Sequence, residues 1–229
     1  MSLCLRAFVL LWYLMRSFTV AVLLSGSGSN LQALFDAQDD GRLAAEVGLV
    51  LSDRADAYGL QRALARRVPA AFVPLPRPAD KAARPAARAA WERRVGDVVA
   101  TFAPDLVLLS GFMRIFSADF LARFPGRIIN QHPALLPDGG GPTVTTASGV
   151  TIPALRGAHV VADALRLGLP VTGCTVHRVT TTVDDGPVLA SAEVPLLPGD
   201  DEAALHERIK AEERRLVVEV VGRLAQEAA

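Results

Sequence analysis

Apolar runs that alternate with helix-like segments constrain the fold of this chain more than any other feature. The runs VAVLL, AEVGLVLS, AAFVPL, DLVLLSGF and GRIIN follow one another between Val20 and Asn130. Consecutive apolar residues, rather than a strict alternation, are typical of parallel strands that helices cover on both faces. The segments between the runs have helical spacing, as in 84–102 with Pro85 near its start. The pattern therefore predicts an α/β fold with a mostly parallel sheet.

Two later segments indicate a change of strand direction. GCTVHRVT and PVLASAEVPL are joined by 184–187, Asp-Asp-Gly-Pro, which is too short for a crossover helix. We expect these two strands to pair antiparallel near the C-terminal end. An amphipathic helix over 200–224 closes the chain, with Asp200 or Asp201 as its cap. With 229 residues in all, one domain is the expected organisation.

The first nineteen residues are less easily placed. An apolar run from Ala7 to Met15 lies between two arginines, and its length is that of a signal-peptide core. The run is shorter than the roughly 20 residues that a membrane-spanning helix needs. The small-x-small site at 19–21 falls inside the predicted first strand, so cleavage there would destroy the fold. We expect an N-terminal extension over 1–19 and one domain over 20–224, with weak membrane attachment and export as alternatives.

Charge and cysteine content exclude several classes of partner. Twenty-four Lys and Arg balance 24 Asp and Glu, so no electrostatic case exists for nucleic acid or an anionic membrane. Cys4 and Cys174 show no CxxC spacing, and His159, His177 and His206 form no HExxH motif. We therefore expect small-molecule partners, no metal, no stable membrane association and a cytoplasmic location.

A glycine-rich turn, SGSGSN, follows the first predicted strand. Gly26 and Gly28 have no side chains to cover their backbone N–H groups, and a helix is predicted to begin at Ser29 and Asn30. The N–H groups and the positive end of the helix dipole should therefore lie at the same place. Leu31 stands where a dinucleotide motif has its third glycine, and no Lys-Ser/Thr pair makes a P-loop. The turn predicts a site for a single phosphate. The alternative is a tight turn capped by Ser29 or Asn30.

The stretch IINQHPALLP places an amide and an imidazole at the end of a parallel strand. Asn130 and His132 are two residues apart, so both side chains face the crevice where α/β proteins bind ligands. An amide that holds an oxyanion and an imidazole that moves a proton are the groups that acyl transfer requires. Hydrogen bonds within a turn are the alternative role for this pair.

A carboxylate beside His132 would favour its protonated form, and TTTVDDGPV offers two candidates, Asp184 and Asp185. The sequence does not choose between them. The alternative is a plain Asp-Gly-Pro turn.

Two further stretches are predicted to be loops. SGFMRIFS surrounds an arginine with apolar side chains, which suits a flat aromatic ligand with an acidic tail, or else a loop that returns to the core. The glycine-rich segment 138–157 has no clear period and is expected to be a long mobile loop.

Taken together, the motifs resemble a known family. LLSGSGSNLQAL, SDRADAYGLQRA, PDLVLLSGFMRIFS, IINQHPALLP, GCTVHRVTTTVDDGPVLA and ERIKAEERRLV occur in the order and approximate spacing of phosphoribosylglycinamide formyltransferases, over about 20–224. The resemblance implies a Rossmann-like formyltransferase fold. It also implies metal-free transfer of a formyl group from 10-formyltetrahydrofolate to the amine of glycinamide ribonucleotide through a tetrahedral intermediate, in a monomer or homodimer.

The resemblance also implies residue roles. Asn130 would stabilise the oxyanion, His132 would act as general acid and base, and Asp184 would pair with His132. The residues implied to bind the ribonucleotide are Gly28, Ser29, Asn30, Lys210 and Glu213. Those implied to bind the folate are Arg88, Met113, Arg114, Ile115 and Phe116.

One segment departs from the family pattern. Relatives cross from HPALLP to GAH in a few residues, whereas here 138–156 intervenes as an inserted loop. The core should still fold, because long surface insertions cost little closure entropy. The alternative function is a non-catalytic folate- or nucleotide-binding homologue that the insertion inactivates. A formate-releasing hydrolase and a methionyl-tRNA formyltransferase are disfavoured, because the chain has no room for their extra domains.

Overall fold

A seven-stranded sheet organises residues 17–228, the part of the chain that this computed structural model describes. The strands of this part are β1 (Phe18–Leu24), β2 (Ala45–Ser52), β3 (Ala70–Phe72), β4 (Leu106–Leu109), β5 (Ile128–His132), β6 (Thr143–Thr145), β7 (Thr151–Pro153), β8 (Val171–Arg178) and β9 (Val188–Pro195). The helices are α1 (Ser29–Asp39), α2 (Tyr58–Ala65), α3 (Arg84–Thr101), α4 (Ala118–Arg123), α5 (Val160–Arg166) and α6 (Glu202–Glu227), and a 3-10 turn, Lys81–Ala83, precedes α3.

The strand order of the sheet is β3-β2-β1-β4-β5-β8-β9. The first five strands of the chain pair in parallel, whereas β8 pairs antiparallel with both β5 and β9. The predicted α/β class, the mostly parallel sheet and the antiparallel pair near the C-terminal end are confirmed.

Alternate residues of β1 enter two different cores. Val22 and Leu24 pack on the face that α1 and α6 cover, together with residues such as Val217. Leu23 packs on the opposite face with Trp91 of α3. Because successive side chains of a strand point to opposite faces, a strand buried on both sides must be apolar throughout. The helices therefore cover both faces of the sheet, as predicted.

The N-terminal boundary differs slightly from the predicted one. Strand β1 begins at Phe18, two residues before the expected start of the domain at Val20. The apolar run from Ala7 to Met15 lies outside the described residues. Within 17–228, no helix has the length and apolar character that a membrane span requires.

The segment 138–157 is not wholly irregular, in contrast to the predicted loop. Strands β6 and β7 form an antiparallel hairpin, in which Val144 faces Ile152 across the ladder. β-Branched residues favour a pleated backbone, and the threonines that suggest a loop by composition are such residues. Ile152 is buried, so one face of the hairpin is covered by protein.

The structure shows which of two aspartates, Asp200 or Asp201, caps the N-terminus of α6. Asp201 accepts a hydrogen bond from the backbone N–H of Ala204 at 2.7 Å, whereas Asp200 pairs with Arg208. Asp201→Ala should therefore lower the free energy of unfolding by about 1 kcal/mol in urea denaturation. Asp201→Asn keeps an acceptor and should lose only a few tenths of that. Equal losses in both variants would show that the side chain does not act as a cap.

Candidate active site

The end of strand β5 forms one wall of a cavity of about 330 Å³. Asn130 and His132 both line it, as their two-residue spacing predicts, and Asp184 lines it from the turn that precedes β9. These are the three residues that the resemblance implies for catalysis, and the fold brings them together.

His132 contacts acceptors through both of its ring nitrogens. Nδ1 lies 3.5 Å from Oδ2 of Asp184, and Nε2 lies 2.9 Å from the carbonyl oxygen of Leu155. A carbonyl only accepts hydrogen bonds, so Nε2 carries a hydrogen in this arrangement. The ring therefore lies between a carboxylate and a backbone carbonyl.

Asp184, rather than Asp185, faces the imidazole. The left-handed backbone of Asp184, with φ of 52°, directs its carboxylate inward, where Oδ1 also lies 3.7 Å from Nε2 of His177. Asp185 instead pairs with Arg156 at 3.1 Å. Aspartate tolerates the left-handed region better than most residues. The structure therefore separates two aspartates that the sequence alone leaves equivalent.

His177 orients the amide of Asn130, and sequence reasoning missed this role. The two residues lie opposite each other in the β5–β8 ladder, with Nδ2 of Asn130 3.2 Å from Nε2 of His177. Nδ1 of His177 donates to the carbonyl of Arg178 at 3.0 Å, so Nε2 is the acceptor for the amide. Burial lowers the pKa of His177, which keeps the ring neutral and suited to this role.

The glycine turn after β1 forms a second, smaller cavity of about 240 Å³. Gly28, with φ of 69°, is the N-cap of α1, and no side chain caps this helix. The alternative prediction of a cap by Ser29 or Asn30 is therefore wrong. A Cβ on Gly28 would meet the Cα of Gly59 at 2.8 Å, so the turn requires glycine for space as well as for conformation.

All five residues implied to bind the ribonucleotide line this smaller cavity. They are Gly28, Ser29, Asn30, Lys210 and Glu213. Two residues that the sequence did not suggest, Gln131 and His206, line it as well. His206 and Lys210 are four residues apart on α6, a spacing that places two side chains on the same helix face.

Gln131 connects two of the residues that the resemblance implies for ribonucleotide binding. Its Oε1 accepts from Nδ2 of Asn30 at 3.2 Å, and its Nε2 donates to Glu213. Oδ1 of Asn30 is buried and has no hydrogen-bond partner within the described part of the chain. A buried acceptor without a partner is costly, so this oxygen is suited to an N–H or O–H group of a ligand.

The segment 111–116 lines the larger cavity, and its members divide into two roles. Met113 and Ile115 are 68% and 63% exposed, so both offer apolar surface to a ligand. Phe116 is buried in a stack of rings, 5.8 Å from Trp91 and 5.5 Å from Phe112. The stack of buried rings therefore fixes the position of segment 111–116.

The arginines expected on the folate side are bound to protein groups. Arg114 lines the larger cavity, but its Nε donates to the buried Asp53 at 2.6 Å. Asp53 also accepts from the hydroxyl of Ser25, whose oxygen in turn accepts from the backbone N–H of Met113 at 3.1 Å. This network fixes the backbone of segment 111–116.

Arg88 does not line the larger cavity. Its guanidinium contacts the carbonyl of Ile115 and Oε1 of Glu92. Within residues 17–228, no group of three or more His, Cys, Asp or Glu side chains is arranged to hold a metal ion.

A comparison with known families decides where the chain belongs. Residues 18–221 match the family described as Formyl transferase. This chain is a member of the formyl transferase family.

Relatives with assigned names agree with this membership. The phosphoribosylglycinamide formyltransferase of Mycobacterium tuberculosis (strain H37Rv) is 44% identical over 206 residues, which is 90% of this chain and 84% of that protein. The enzyme of the same name from Escherichia coli (strain K12) is 36% identical over 197 residues, with 86% and 82% covered. The crystal structure of glycinamide ribonucleotide transformylase 1 from Symbiobacterium toebii has a TM-score of 0.77 at 40% identity and covers 92% of this chain and 89% of that one.

The buried Glu213 makes the stability of this formyl transferase depend on pH. Burial raises its pKa from 4.5 to about 7, although Lys210 and Arg214 oppose the shift. Between pH 4.5 and about 7, the folded chain therefore keeps a proton on Glu213 that the unfolded chain has lost. The free energy of unfolding consequently falls as pH rises from about 4.5 to 7, by about 3 kcal/mol at most.

Glu213→Gln should remove this dependence. The difference in free energy of unfolding between the variant and the wild type should shift in favour of the variant by about 1–3 kcal/mol as pH rises from 5 to 8. Urea denaturation at each pH measures this difference. Glu219→Gln, an exposed position on the same helix, is the matched control and should show no such gain. Parallel pH profiles for the wild type and Glu213→Gln would contradict the expectation.

Proposed function

We propose that this formyl transferase moves the formyl group of 10-formyltetrahydrofolate to the amine of glycinamide ribonucleotide, a step of purine biosynthesis. One observation carries the proposal: Asn130, His132 and Asp184 meet beside a glycine turn that is suited to phosphate. The names of the relatives at 44% and 36% identity support the same activity.

The two cavities suit the two substrates. The smaller cavity offers the uncapped end of α1 and the ammonium group of Lys210, which together favour a phosphate. The larger cavity offers exposed apolar side chains and the backbone of segment 111–116, which suit the flat ring system of a folate. Both cavities are lined by Gly111, Met113, Gln131 and Pro133, so the substrates would meet at the end of β5.

The chemistry follows from this meeting point. The amine attacks the formyl carbon, and the oxygen of the tetrahedral intermediate accepts a hydrogen bond from the amide of Asn130. The new C–N bond is complete in this intermediate, and the bond from carbon to N10 of the folate breaks as the intermediate collapses and the carbonyl re-forms. His132 takes a proton from the attacking amine and returns one to N10, and the carboxylate of Asp184 stabilises the imidazolium between these steps.

The carbonyl of Leu155 occupies one of the two ring nitrogens of His132. It accepts from Nε2 of His132, so it must give way when that nitrogen transfers a proton to or from a substrate. We also propose that 138–156 is an inserted segment within a single domain and that the enzyme is a cytoplasmic monomer or homodimer.

The test is an assay of purified protein with both substrates, which follows formation of tetrahydrofolate. We expect formylated ribonucleotide and tetrahydrofolate in equal amounts. Ligand binding in calorimetry without product would favour the non-catalytic homologue, most clearly if deletion of 138–156 restored turnover. Absence of both binding and product would reject either function.

A further inference from the structure

The side chain of Arg156 joins three parts of the chain that are distant in sequence. Its Nε donates to the carbonyl of Asp184 at 3.1 Å, and its Nη2 donates to the carboxylate of Asp185 at 3.1 Å. Nη2 also donates to the carbonyl of Gly141 at 2.8 Å, and Nη1 to that of Ala154 at 3.4 Å. One guanidinium therefore ties both ends of the β6–β7 hairpin to the turn that carries Asp184.

The backbone on either side of Arg156 contacts the proposed catalytic pair directly. The N–H of Gly157 donates to Oδ2 of Asp184 at 3.1 Å, and this is the oxygen that faces Nδ1 of His132. The carbonyl of Leu155 accepts from Nε2 of the same ring. A shift of these three consecutive residues would therefore disturb both partners at once.

The turn 183–186 depends on such external contacts. Asp184 has a φ of 52°, which costs a residue other than glycine on the order of 1 kcal/mol. Val183 is exposed and adds little burial to hold the turn. The separation of 3.5 Å between Asp184 and His132 is already long for a hydrogen bond, so a small displacement would break the pairing.

The carboxylates of Asp184 and Asp185 have different partners. The carboxylate of Asp185 pairs with the positive charge of Arg156 and packs against Gly140, where a Cβ would meet its Oδ1 at 2.7 Å. The carboxylate of Asp184 is thereby left to face the histidines, while only its carbonyl contacts the guanidinium. Arg156 thus holds the turn without forming an ion pair with the Asp184 carboxylate that faces His132.

We propose that Arg156 is a positioning residue that holds the Asp184 carboxylate against His132, and this proposal rests on the proposed function. Arg156 acts through Asp184 and touches no reacting atom. Placement errors of about 1 Å in such a pair reduce rates by up to about 100-fold. Segment 138–156 therefore contributes to the site instead of merely covering it.

The experiment is a double-mutant cycle on kcat for formyl transfer. Arg156→Ala should lower kcat by about 10- to 100-fold while KM for both substrates changes less than about threefold. In an Asp184→Asn background, the same change should lower kcat less than about twofold, because the group it positions is already lost. Equal losses in the two backgrounds would overturn the proposal.

Controls separate positioning from folding. Arg166→Ala, which breaks an exposed ion pair with Asp163, should leave kcat unchanged. Should Arg156→Ala fail to fold, Asp185→Ala removes one of the contacts of Arg156 and should give a smaller loss with the same cycle.

A second measurement does not depend on turnover. In nitrogen-15 spectra of histidine-labelled protein, Arg156→Ala and Asp184→Asn should move the ring resonances of His132 in the same direction. Wild-type positions in Arg156→Ala, with a shift in Asp184→Asn, would overturn the proposal even if no formyl transfer were found. An inactive wild type with the expected shifts would instead count against the proposed function alone.

Discussion

His132→Ala should lower kcat for formyl transfer by about 10²- to 10⁴-fold, the largest effect that we expect of any single substitution. The amine must lose a proton and the folate nitrogen must gain one, and the ring of His132 lines the larger cavity 3.5 Å from the carboxylate of Asp184. His177 lines the cavity as well, but its two ring nitrogens contact the amide of Asn130 and the carbonyl of Arg178. KM for the ribonucleotide should change little, because the proposed phosphate site lies in the other cavity. Steady-state kinetics with each substrate varied in turn measures both quantities.

The control for this substitution is another histidine of the same chain. His159 is exposed at the start of α5 and lines neither cavity, so His159→Ala should keep wild-type kcat. His132→Gln keeps most of the side-chain volume and should lose activity as His132→Ala does. Near-wild-type kcat in either His132 variant would remove the acid–base role.

Asn130→Ala should lower kcat by about 10²- to 10³-fold, the cost of removing one preorganised donor from a developing oxyanion. The amide is held by His177 at 3.2 Å, so its orientation is set before the substrate binds. Because the oxyanion exists only in the transition state and the intermediate, kcat and kcat/KM should fall together.

Asn130→Asp separates charge from shape at this position. The two side chains are equal in size, but a carboxylate repels an oxyanion, so the loss should be at least as large as in Asn130→Ala. Activity close to wild type in Asn130→Asp would show that the amide does not contact developing negative charge. A melting curve for each variant would detect any loss of folding.

The parallel part of the fold could be predicted because its signal is local. Consecutive apolar residues, as in β1, identify strands that are covered on both faces, and each predicted strand is found in the sheet. Asn130 and His132 could be paired from their spacing alone. The glycine turn after β1 is recognisable by its position between a strand and a helix.

The features that the sequence did not specify depend on contacts between distant segments. His177 is paired with Asn130 by the antiparallel register of β5 and β8, which no local pattern specifies. Asp184 is selected over Asp185 by a left-handed backbone angle. Arg88 and Arg114 are expected on the folate side, but Glu92 and Asp53 bind them, and such partners become visible only in three dimensions.

Strand β5 presents different side chains to the two faces of the sheet. Its five residues alternate, so Ile128, Asn130 and His132 belong to one face, while Ile129 and Gln131 belong to the other with α1 and α6. Insertion or deletion of one residue here would exchange the faces, turning the amide and imidazole toward α1 and α6 and the glutamine toward the opposite face. The length of this strand therefore decides which side chains point to each face, whereas exchange of one apolar residue for another would leave that arrangement unchanged.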